Sequence, residues 1–103
     1  MVFFVFEKDL EKKLLEKLEK YEKLTKRGLV EIKVSKDISK EEKLIAEDFL
    51  SMAKNYYNDA RYFVEKKEYL TALAAFSYAH AWLDAGVRAK VFDAKDDQLF
   101  TLP

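Results

Sequence analysis

His80 and Asp84 stand four residues apart, a spacing that brings two side chains together on one face of a helix. A carboxylate beside an imidazole can orient a metal ligand or a general base. Asp59 is a further acid set into an otherwise apolar stripe. Asp59, His80 and Asp84 therefore form a candidate polar cluster for a small ligand or a metal. His80 is the sole histidine and the chain has no cysteine, which leaves few ligands for a transition metal. The preferred reading of the His80–Asp84 pair, with Asp59 as a candidate third member, is a buried polar contact that fixes helix register, because polar groups inside proteins are normally hydrogen-bonded. No metal site and no cofactor are assigned.

Aromatic side chains carry the second chemical signal. Tyr62, Tyr78 and Trp82 are candidate interface residues, since Tyr and Trp suit surfaces that are apolar on one side and wet on the other. Tyr56, Tyr57 and Phe63 are assigned to the core. Catalysis has little to build on. Two glycines make no phosphate-cradling loop, no thiol nucleophile exists, and no Ser–His–Asp set has a recognisable context. The chain is expected not to be an enzyme.

The elements that position these residues follow from periodicity. Residues 7–27 read as helix 1, with Leu10, Leu14, Leu18, Tyr21 and Thr25 at helical spacing and Gly28 as its stop. Its charged remainder reads as a solvated face, with Glu16–Lys20 and Glu19–Lys23 in the favoured order. Ser39-Lys-Glu-Glu42 is a capping box that opens helix 2, expected over residues 39–66. Helix 2 carries two adjacent stripes, one of Ala46, Leu50, Ala53, Tyr57, Ala60 and Val64, the other of Ile45, Phe49, Met52, Tyr56, Asp59 and Phe63. Helix 3 is expected over residues 68–91 and is apolar on most sides, so it must be buried on most sides. The short corner between them makes helices 2 and 3 antiparallel neighbours. Residues 29–34 alternate with period two and read as a linker able to form a strand, with residues 2–6 as its candidate partner in a short ribbon. The apolar end of the tail, Leu99 to Leu102, is expected to dock on the bundle or on a partner. The fold class is all-α: a single domain over residues 1–103, an antiparallel up-and-down three-helix bundle, with that ribbon as an addition.

Composition narrows the function classes. Nineteen Lys+Arg against nineteen Asp+Glu give a net charge of zero, which argues against an electrostatic nucleic-acid binder. Half the residues are hydrophobic, which excludes disorder. No charge-free stretch is long enough to span a membrane, and Met1 to Phe6 is too short for a signal peptide. The expected location is the cytoplasm. Abundant Lys and Glu with little Asn, Gln or Met fit a thermophile.

The large and small residues Tyr56, Ala60, Phe63, Ala72, Phe76 and Ala79 echo one tetratricopeptide unit, but a single unit cannot form a solenoid. The pattern reads instead as a helical hairpin whose small residues admit close approach. The stretch Tyr56-Tyr-Asn-Asp-Ala60 with Phe63, then Tyr78-Ala-His-Ala-Trp-Leu-Asp-Ala85 and the tail from Asp96 to Leu102, resembles a family of small archaeal proteins catalogued only as a domain of unknown function. That resemblance covers residues 45–102. It implies an archaeal source and a three-helix bundle, and it implies no activity. The function expected is a protein–protein interaction or self-association module, a homo-oligomer or a partner of another protein, working through helix 3. The alternative is a ligand or metal site at Asp59, His80 and Asp84.

Overall fold

Helix formers run almost unbroken through the chain, and capping decides where each helix starts and stops. The computed structural model describes the backbone of residues 2–97, 99 and 100 and the side chains of residues 8–97, 99 and 100. The elements in order are α1 (Val2–Glu31), β1 (Lys33–Val34), α2 (Lys40–Glu65), α3 (Tyr69–Arg88) and β2 (Phe92–Asp93). The three helices pack as the expected all-α bundle.

α1 is longer than its periodicity suggested at both ends. It takes in residues 2–6, which are therefore helix and not a strand. It also runs through Gly28, whose carbonyl accepts from the Ile32 N–H at 2.9 Å. Gly28 marks a close approach. A Cβ there would lie 3.0 Å from Leu83 Cδ1, 3.3 Å from Phe100 Cε1 and 3.4 Å from His80 Cε1. The ribbon exists with a different partner: β1 pairs antiparallel with β2, Lys33 opposite Asp93 and Val34 opposite Phe92. Ser35 extends it, its N–H donating to the Val91 carbonyl at 2.9 Å.

α2 opens at the capping box as read. Ser39 Oγ accepts from the Glu42 N–H at 3.1 Å, and Glu42 Oε1 accepts from the Ser39 N–H at 3.2 Å. α2 and α3 both end on a lysine in the left-handed region, Lys67 at φ 61° and Lys90 at φ 63°. Each ends in paired reverse bonds: Glu68 N–H to Phe63 O with Lys67 N–H to Val64 O, and Val91 N–H to Gly86 O with Lys90 N–H to Val87 O. These are Schellman closures with lysine where glycine is usual. No glycine announced them, so α3 stops three residues earlier than its apolar pattern implied.

α3 lies between the other two helices, with α2 along one side and α1 along another. Leu14 borders the cavity at Tyr69 and Leu70, Thr25 meets the Phe76 carbonyl, and Gly28 meets Leu83, so α1 runs parallel to α3. Residues 8–13 precede that first contact and are all exposed. α2 runs antiparallel to α3 with its register fixed by ring contacts: Tyr56 with Tyr78 at 4.4 Å, Tyr57 with Phe76 at 5.5 Å and Phe49 with Trp82 at 5.1 Å. In that register Ala60 is level with Ala72, Ala53 with Ala79 and Ala46 with Gly86. All six are buried. Small residues at seven-residue spacing on both helices let the backbones come close along their length.

At the third level the space beside Gly86 is filled by the Phe92 ring, against which any Cβ at residue 86 would collide. Gly86→Ala should therefore lose about 1–3 kcal/mol, the usual cost of overpacking, and lower the urea midpoint. Lys90→Gly should stabilise the chain by up to about 1 kcal/mol by relieving the left-handed conformation, and so raise the midpoint. Unchanged midpoints in both variants would contradict this account of the α3 end.

Candidate functional site

Two places gather the residues with chemical potential, and they lie on different sides of α3. The first is the His80 corner. His80 is 16% exposed in its side chain and points toward α1 and the tail. Its Nε2 lies 2.6 Å from the Leu99 carbonyl oxygen. A carbonyl only accepts, so Nε2 carries the proton and donates. Nδ1 is buried and makes no hydrogen bond among the described residues. The imidazole stacks on Phe100, centroids 5.9 Å apart and planes 11° from parallel. Leu99 and Phe100 are 3% and 4% exposed. The tail is held further by a turn in which the Asp96 carbonyl accepts from the Leu99 and Phe100 N–H groups, and by Arg27 Nη2 at 3.5 Å from Asp96 Oδ2.

Asp84 Oδ2 is 3.9 Å from His80 Nε2, so these two do meet, beyond hydrogen-bonding distance. Asp59 does not join them. It is exposed and lines a groove on α2 and α3 with Tyr56, Phe63 and Tyr78. No group of three His, Cys, Asp or Glu side chains is placed to hold a metal among the described residues. One imidazole nitrogen is engaged by a carbonyl and the other is enclosed, which leaves neither directed at a bound ligand. The chemistry available to His80 is fastening. It ties the C-terminal segment across the end of the α1–α3 seam.

The second place is the outer face of the α2–α3 hairpin, away from α1. Phe49, Trp82, Tyr78 and Tyr56 form a ladder of edge contacts, the Tyr78–Trp82 rung having centroids 6.1 Å apart. Beside it lies a groove of about 480 Å³ lined by Tyr56, Asp59, Phe63, Ala74, Ala75 and Tyr78. Tyr78 is 49% exposed, and Ile45, further along the same face of α2, is 45% exposed. Of the three residues marked as an interface, Tyr78 and Trp82 are brought together here. Tyr62 stands apart on the flank of α2, 54% exposed, against Phe63 and under the Lys66 ammonium at 5.5 Å. Tyr56 and Phe63, assigned to the core from sequence, are half-buried walls of this groove, whereas Tyr57 is in the core at 9% exposure. Burial among apolar neighbours pushes the Tyr57 hydroxyl pKa upward. Ala74 and Ala75, which line the groove, went unmarked; the available signal was two small residues between large ones on an apolar helix.

Among the described residues, no helix is long and apolar enough to cross a membrane. The chain belongs to the family described as Protein of unknown function (DUF357), which it matches over residues 20–92. That span holds the α2–α3 hairpin, the outer face and His80. It stops short of Leu99 and Phe100, the residues His80 holds. No curated protein and no solved structure matches the chain.

His80→Ala should release the tail and leave the hairpin folded. Hydrogen exchange at the Leu99 and Phe100 amides should speed up by at least tenfold while the Ala53 and Ala79 amides keep their protection. Equal protection at Leu99 in the variant would show that His80 does not hold the tail.

Proposed function

We propose that this chain is a non-enzymatic association module whose docking face is the outer side of the α2–α3 hairpin. The observation that carries the reading is the ring ladder of Phe49, Trp82, Tyr78 and Tyr56 beside a small-residue groove, left outside the core by a bundle that covers the opposite side. Exposed apolar area of this kind is costly in water and is typical of binding surfaces. Tyr and Trp at such a face anchor partners efficiently. The Lys- and Glu-rich composition supports a thermophilic source, and the family resemblance implies an archaeal one; a cytoplasmic setting goes with this role.

A ligand or metal site built from Asp59, His80 and Asp84 has less behind it. His80 is used by the tail, and Asp59 lies on the docking face.

The test is Tyr78→Lys. Its half-exposed position allows the change without unfolding, so helicity by circular dichroism should be retained. Wild-type chain should sediment as a complex, with itself or with a protein of its native extract, and the variant should sediment as the 12.1 kDa chain alone. Indistinguishable sedimentation of the two would remove the docking face from consideration.

A further inference from the structure

We infer that the occupant of the docking face is a second copy of this chain, laid antiparallel across the first with a two-fold axis at the level of Lys54 and Tyr78. This rests on the docking face proposed above and names its partner.

The α2 stripe is symmetric about residue 54. Ile45 and Phe63 are equally distant from it, as are Phe49 and Asp59, and Met52 and Tyr56. An antiparallel pair of α2 helices centred there sets the exposed Ile45 of one copy against Phe63 of the other. The ends of α2 are opposites in charge about the same centre. Glu41 and Glu42 at its start mirror Lys67 and Lys66, which follow its last residue Glu65. The order that places like residues together in a parallel pair places opposite charges together in this one, so the charges select direction.

α3 supports the same centre. Tyr56 packs on Tyr78, so the level of Lys54 on α2 is close to that of Tyr78 on α3. About that level Trp82 of one copy faces Ala74 and Ala75 of the other, small residues that line the groove. A large ring then meets a small-residue depression twice, once from each copy. Asp59 stays at the edge of the groove. It comes near Asp48 of the other copy, in water, where repulsion between exposed charges is weak and screened. A face about 30 Å long and about 20 Å wide gives roughly 1,200 Å² for two copies, at the lower edge of specific interfaces.

Complementary charge variants test the pairing directly. Glu42 is left alone because it closes the capping box. Glu41→Lys in one chain, and Lys66→Glu with Lys67→Glu in another, should each weaken self-association about tenfold in low salt, from lost and reversed pairs at both ends. Mixed in equal amounts, the two variants should associate more tightly than either alone and less tightly than wild type, because one end of the mixed dimer keeps both native pairs while the other sets one opposite pair against one like pair at unchanged Glu42. Added salt should erase the differences. A mixture no tighter than either variant alone overturns the antiparallel pairing. If Tyr78→Lys still abolishes association in that case, the docking face stands and only the pairing falls. A wild-type chain that remains at 12.1 kDa at millimolar concentration also overturns the pairing and leaves the face to another protein.

Discussion

The close seam between α2 and α3 governs the rest of the molecule. Ala46, Ala53 and Ala60 on one helix and Ala72, Ala79 and Gly86 on the other leave no room for a large side chain between the backbones. The bulky residues of both helices are therefore displaced to the two sides of the seam. On the inner side Tyr57 and Phe76 meet and are covered by α1. On the outer side Tyr56, Tyr78, Phe49 and Trp82 meet one another, and among the described residues no helix covers them. The aromatic face is thus a consequence of tight packing within the hairpin. A looser pair of helices would have absorbed some of those rings between them.

The other contacts are arranged around that hairpin. α1 reaches the opposite side of α3, and Gly28 gives it the clearance to sit against Leu83. The same clearance admits the Phe100 and His80 rings, so one glycine organises helix, imidazole and tail together. Phe92 fills the absent side chain of Gly86 and anchors β2, which in turn pairs with β1 and fixes the link into α2. Both glycines of the chain serve close approach, and both turns that need a left-handed residue use lysine. The exposed ion pairs of α1, such as Lys23 with Glu19 at 2.9 Å, hold little of this in place. The Glu19 carboxyl is held below its ordinary pKa by that lysine, which marks a local contact on a solvated face.

Much of this was legible in the sequence, and the gaps have physical causes. The capping box at Ser39, the antiparallel hairpin and the three-helix class follow from patterns that local chemistry enforces. Gly28 misled as a helix stop because the same residue type serves both a C-terminal turn and close helix contact, and only the neighbouring Leu83 decides between them. The ribbon was assigned the wrong partner because residues 2–6 are apolar enough to pair, and Phe92 is positioned by Gly86, a contact no periodicity reveals. His80 was recognised as structural, yet its partner Leu99 lies across a turn that has no motif. Tyr78 and Trp82 were marked as surface aromatics from type and place. Tyr56 and Phe63 stand on a stripe adjacent to the one that forms the core, and which of two neighbouring stripes faces out depends on where the third helix packs.

The central claim is that two outer faces meet with α2 antiparallel to α2 about residue 54, and a distance measurement tests it most directly. The chain has no cysteine, so a nitroxide on Lys54→Cys or on Lys40→Cys is the only label in each variant. Pulsed electron resonance should find the Lys54 labels of two copies within about 30 Å of one another. The Lys40 labels should stand beyond about 40 Å, since they sit at opposite ends of the paired helices. Short distances from both positions would mean parallel helices and would contradict the account.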